Sequence, residues 1–370
     1  MAHITEIQGE TMKLNNKTVI SSGQIFAVLL LMRSFTLMTY VPMAENGTGN
    51  AVQPAAIFVS CMLQALLVIP IIMLNSELPS ASVCGIAEKR SRIFGIISRV
   101  IYGVFFLCAA ANAVLGYCEF SQKQFFRTSG RIGFAVIMII TAGCCAYLGI
   151  EGIARSSSVM LTVFLILTAL MTAFAFRNTD ISEGLQKGII FGSEFSRAVR
   201  GDIARSSELA AAAFLMKYSE KGIRRPLYGA LTGKLILLVF VSYSISVITG
   251  NYAYITDFPF MSLSAFSDAV LFGRADAVFM SVWTISGILS AGVYVFIASD
   301  ILSELLPVFQ KKRMLSCLCV CAAVFALLLP TVMGSEYSSD MLRNICGAGS
   351  VCVLTFLIPT LIIVSKEERT

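Results

Sequence analysis

The chain has 370 residues, of which 56% are hydrophobic and 14% charged, with a formal net charge of +6. Soluble domains carry about 25% charged residues, so this composition excludes an ordinary soluble domain and points to an integral membrane protein. The missing strand-type alternation excludes a barrel, and the single histidine, His3 in a polar tail, argues against His-based catalytic or metal chemistry.

Residues 1–19 are polar, without a basic stretch leading into an apolar leader, and are read as a cytoplasmic tail. Apolar runs then predict about ten transmembrane helices: 20–43, 55–74, 96–117, 132–148, 157–176, an unusually short 203–216, 227–248, 277–301, 314–332 and 345–364. Lys and Arg concentrate in alternate links, as at Lys89, Arg90 and Arg92, at Lys217, Lys221, Arg224 and Arg225, and at Lys311, Lys312 and Arg313. This bias places both termini in the cytoplasm and accounts for the positive charge without a nucleic-acid partner. The long link 177–202 is read as an outer linker carrying a surface helix, with Ile181, Leu185, Ile189 and Ile190 on a loose helical period. The fold class is an all-α integral membrane protein, with a first five-helix repeat at 20–176, a second at 203–364 and a short tail at 365–370. In inverted repeats of this kind the first helix of each half is often discontinuous, which here means helices one and six.

Those same two helices carry charges within apolar runs, Arg33 in MRSFTLMTYVP and Glu208 in ARSSELAAAAFLM. An ionisable group at membrane depth costs roughly 2.5–3.5 kcal/mol even on insertion scales, so it faces a partner, a pathway or a bundle interior. The two can pair with each other, can each contact ligand, or Arg33 can line a water-filled vestibule. Lys234 is expected to snorkel to the inner surface, and Asp300 and Glu304 to be solvated at a helix end. On span eight, Ser286, Gly287, Ser290, Ala291 and Tyr294 share one face, which suits close helix packing or a polar ring around ligand. Glu151 and Arg155 are four apart on one helical face and read as a local ion pair or as a gating contact. Of the eleven cysteines most lie within apolar spans, and Cys317-Leu-Cys-Val-Cys321 has no zinc-type spacing, so they read as small apolar filler. No nucleophile–base pair, metal cluster or phosphate-cradling loop appears, and neither an enzyme nor a cofactor is expected.

Two segments carry a resemblance: Tyr147-Leu-Gly-Ile-Glu-Gly-Ile-Ala-Arg-Ser156, and Phe258-Pro259 followed by Arg274-Ala-Asp-Ala-Val-Phe-Met-Ser-Val-Trp283, with Gln24 and Pro42 bounding span one. Together they resemble the endospore germination permease family, the B subunit of spore germinant receptors, within the amino acid–polyamine–organocation transporter superfamily. The resemblance implies a small nutrient, such as an amino acid, bound among spans one, three, six and eight. On that reading the ligand-binding candidates are Arg33, Ser34 and Thr36; Val104 and Cys108; Ser206, Ser207 and Glu208; and Ser290 and Tyr294. It also implies partners, a larger membrane A subunit and a lipoprotein C subunit, in the bacterial cytoplasmic membrane or spore inner membrane. The alternative function on the same fold is a proton- or cation-coupled amino acid transporter. Where the family usually opens span one with glycine, this chain reads Met32-Arg33-Ser34-Phe35-Thr36.

Overall fold

The computed structural model describes residues 19–39, 52–79, 81–124, 130–177, 192–249, 258–266, 275–310 and 312–367. The expected surface helix around Ile181–Ile190, together with Pro42 and Arg274, lies outside them. Helix α1 (Ser22–Thr39) starts at a reciprocal cap: the Ser21 N–H donates to Gln24 Oε1 at 3.1 Å and the Gln24 N–H to Ser21 Oγ at 3.3 Å. That cap is the physical role of Gln24. Span two is α2 (Val52–Leu67) continuing as α3 (Ile69–Glu77), and a short α4 (Val83–Arg90) leads into span three, α5 (Arg92–Gln124). Spans four and five are α6 (Arg131–Leu148) and α7 (Ile150–Arg177), joined through Gly149, whose φ of +101° suits glycine.

Span six is broken. Helix α8 (Ser193–Ala204) ends at Arg205, and α9 (Ser207–Leu215) begins after Ser206, whose φ and ψ of −99° and 42° are not helical. The span therefore starts at Ser193, about ten residues before the apolar run that marks it in the sequence. Polar residues such as Arg197, Arg200 and Asp202 hide its first half in what reads as linker. Span seven is α10 (Arg224–Thr249); α11 (Pro259–Phe266) precedes span eight, α12 (Ala275–Leu305). After a single turn, α13 (Pro307–Gln310), span nine is α14 (Arg313–Val332). Span ten combines α15 (Glu336–Ile345), α16 (Ala348–Cys352), a π-helical turn at Val353–Leu357 and α17 (Ile358–Glu367). The π turn loosens the backbone ladder, and Tyr102 Oη of α5 donates to the Leu354 carbonyl at 2.5 Å. Among the described residues eight helical spans are long and apolar enough to cross a membrane. Helix α1 and the broken pair α8–α9 complete ten.

Helix α1 is continuous where a break was expected. Its middle has no glycine, and Phe35 is pinned from outside: the Trp283 indole of α12 donates to the Phe35 carbonyl at 3.0 Å and stacks on its ring at 5.1 Å. Trp283 is wholly buried and also contacts Tyr117 and Phe120 of α5. A Cβ at Gly287 would come within 2.6 Å of the Phe35 ring, so glycine at this point of span eight lets α1 and α12 approach closely.

At the end of the bundle where α1 begins, the Ile20 N–H donates to the Tyr218 carbonyl at 2.8 Å and the Glu220 N–H to the Ile20 carbonyl at 3.3 Å. Five charged side chains gather nearby. Arg99 of α5 bonds Glu88 of α4 and Glu304 of α12, the latter at 3.0 Å; Lys217 bonds Asp300 and, at 3.3 Å, Glu304. Asp300 and Glu304 are thus paired rather than simply solvated. Burial beneath the bundle and the Asp300 carboxylate act oppositely on Lys217, and the carboxylates prevail: its ammonium is held well above the ordinary lysine range.

Candidate functional site

A cavity of about 330 Å³ lies where α1, α5, the span-six break and α12 meet, with α15 at its rim. That volume is within the range of small-molecule pockets. Phe35 and Thr36 of α1 form one wall, and Ala109, Asn112, Ala113 and Gly116 of α5 the next. Their spacing of three and four residues keeps these α5 positions on one helical face. Arg205 and Ser207 enter from the break, and Tyr294 from α12. Ser207 Oγ and Tyr294 Oη are 2.5 Å apart, so the two walls are tied at the cavity itself. At the rim Arg343 of α15 bonds both carboxylate oxygens of Glu119 at 2.8 Å, and both side chains are part of the lining.

Of the sequence candidates, Thr36, Ser207 and Tyr294 are on the cavity wall. Arg33, Ser206 and Glu208 are buried behind it. Ser34 donates to the Leu30 carbonyl and Ser290 to the Ser286 carbonyl, both at 2.8 Å, so each hydroxyl turns back onto its own helix. Cys108 is buried one turn before Asn112 on the same side of α5, but it is not part of the cavity lining. Val104 is 50% exposed on the outside of the bundle, away from the cavity. Glu151 and Arg155 make a local pair at 2.5 Å on an exposed helix face.

Behind the wall lies a polar network that the sequence did not reveal. Arg33 pairs with Asp202 of α8 at 2.7 Å rather than with Glu208. The other Asp202 oxygen accepts from Ser60 at 2.6 Å and from Gln64 Nε2 at 2.8 Å, both on α2. Lys234 of α10 does not snorkel; it is 2% exposed and donates to Gln64 Oε1 at 2.7 Å, to Ser206 Oγ at 2.6 Å and to Glu208 Oε1 at 3.4 Å. Ser206 in turn donates to the Asp202 carbonyl at 2.7 Å, which satisfies a backbone acceptor at the end of α8. Two cations and two carboxylates thus neutralise one another and fix the break against α1, α2 and α10. The residues missed were Asp202, read as linker, Lys234, read as snorkelling, and Ser60 and Gln64 on span two. On α5 the stripe Ala109, Asn112, Ala113, Gly116 carries a legible signal, small and polar residues at helical spacing within an apolar span.

Residues 209–333 match the sequence model of a family described as spore germination protein, which bears out the resemblance read from the motifs. Two solved structures share the fold. One is Mhp1, a nucleobase-cation-symport-1 family transporter in a closed conformation with bromovinylhydantoin bound: TM-score 0.63, 12% identity, covering 89% of this chain and 75% of that one. The other is MhsT in complex with L-phenylalanine: TM-score 0.61, 13% identity, covering 93% of this chain and 97% of that one. Among curated proteins none matches the sequence. The chain is an integral membrane protein with the all-α, five-plus-five fold of these transporters. Family match and fold together support a permease- or transporter-like role.

Proposed function

We propose that this chain is the nutrient-sensing membrane subunit of a spore germinant receptor, taking an amino acid into the cavity at the span-six break. The observation that carries this reading is the cavity itself: amino-acid-sized, bounded by spans one, three, six and eight, and lined by Asn112, Arg205, Ser207 and Tyr294. The positive end of the α9 dipole favours a carboxylate beside Ser207. Phe35 and Tyr294 supply apolar surface for a side chain. Ligand bound here bridges the break to α5 and α12, and a difference in affinity between two arrangements of these helices shifts their populations. Partner subunits, a larger membrane A subunit and a lipoprotein C subunit, read that shift. In this proposal both termini are cytoplasmic and the cavity rim faces outward.

Binding of a panel of L-amino acids to the purified chain tests the reading. Tyr294→Phe and Ser207→Ala each remove one hydrogen-bonding group from the wall and are expected to weaken the best ligand by about 1 kcal/mol, roughly five- to tenfold. Saturable binding unchanged in both variants would place the ligand elsewhere. The fold likeness favours a second reading, a coupled amino acid transporter. Accumulation of radiolabelled ligand in proteoliposomes containing this chain alone would establish it over the receptor.

A further inference from the structure

The Lys234 ammonium sits in a cage made only of oxygens. Gln64 Oε1 is at 2.7 Å, Ser206 Oγ at 2.6 Å, and Asp202 Oδ2 and Glu208 Oε1 at 3.4 Å each. These oxygens come from α2, from both sides of the span-six break and from the break residue itself. Neutral oxygens combined with carboxylates form the donor set that hard cations take. All four ionisable side chains of the network are buried, at 5% exposure or less. With the ammonium in place, Arg33 and Lys234 balance Asp202 and Glu208; without it, one negative charge is left uncompensated in the bundle interior. Beside the cage is a cavity of about 10 Å³, room for one water, bounded by Arg33, Glu208 and Lys234. Arg33 Nε is buried there without a hydrogen-bond partner among the described residues.

We propose that the oxygen cage at the span-six break is a monovalent-cation site that the chain fills with its own Lys234 ammonium, and that the adjoining cavity therefore takes its ligand without a dissociable coupling cation. The cation is tethered to α10, so the break is held in one geometry whatever the ionic composition outside. The second clause rests on the ligand reading above; the first stands on the cage alone.

Thermal unfolding of the purified full-length chain in sodium, potassium and choline chloride, at one ionic strength, tests the cage without ligand. The wild-type midpoint is expected to be the same in all three salts. A midpoint raised by sodium or potassium over choline would overturn the filled site. Lys234→Ala is expected to unfold several degrees lower in choline, and to recover in sodium or with n-propylammonium, which replaces the lost stem and charge. Lys234→Ala/Glu208→Gln, with charges balanced again, is expected to ignore the added cation. Equal midpoints of Lys234→Ala in choline, sodium and n-propylammonium would overturn the cage. If Lys234→Ala does not accumulate, Lys234→Met and Lys234→Met/Glu208→Gln keep the volume of the stem. The double variant is expected to be the more stable, and equal or lower stability overturns the place of Glu208 in the cage. Ligand affinity of the wild type in choline against sodium then reads the second clause: equal affinity supports it, a sodium requirement overturns it, and absence of any ligand binding removes only the reading on which that clause rests.

Discussion

The two ends of the central cavity are closed by very different means. At the rim, among the described residues, the Glu119–Arg343 ion pair links α15 to α5, and its arginine side chain is 52% exposed. At the opposite end Arg99 and Lys217 engage Glu88, Asp300 and Glu304, joining α4, α5, α12 and the segment after α9, next to the backbone pairing of Ile20 with Tyr218 and Glu220. An exposed pair contributes about 0–1 kcal/mol, whereas removing one partner from a partly buried cluster leaves an uncompensated charge and costs considerably more. From this difference we expect access from the rim side, where the ion pair parts at smaller cost than the cluster at the far end. One-sided access is what a sensor needs and what a transporter must periodically abolish.

Between the two ends lies the buried network, and breaking it gives the largest expected effect. Asp202→Ala strips Arg33 and Lys234 of a shared partner and is expected to destabilise the chain by about 3–5 kcal/mol, measured by unfolding in detergent. A loss below 1 kcal/mol would mean that the network does not anchor the break. Next, Lys217→Ala leaves Asp300 without its cation and is expected to cost about 2 kcal/mol. It is also expected to expose Cys84, which is fully buried beneath this cluster, to a membrane-impermeant thiol reagent; the labelled peptide is read by mass spectrometry. Unchanged Cys84 labelling would show that the far end is closed by packing and not by charge. The smallest effect belongs to the rim. Glu119→Gln is expected to change stability by less than about 1 kcal/mol while speeding ligand association and dissociation alike. A large stability loss there would erase the contrast between the two ends.

Most spans were legible because run length alone identifies a membrane helix. The broken helix was legible only by half. Glu208 interrupts an apolar run and stands out, whereas Asp202 sits among Arg197, Arg200 and Arg205 and looks like linker. Its meaning depends on Arg33, 169 residues away, and on Ser60 and Gln64. Lys234 failed for the same reason. Its stem is long enough to reach a surface, and only the fold shows that oxygens from α2 and the break lie closer than water. Thr36, Ser207 and Tyr294 could be picked out because each is polar on a helix expected to face the centre. Val104 could not be oriented, since an apolar residue fits the outside of α5 as readily as the inside.

The indole of Trp283 has a use beyond packing. It is the sole tryptophan in 370 residues, and it is wedged between Phe35 of the cavity wall and the rings of Tyr117 and Phe120. The chain therefore carries a native optical probe at the joint between spans one, three and eight. Its emission reports whether those three helices move together when the cavity is occupied, with no label attached.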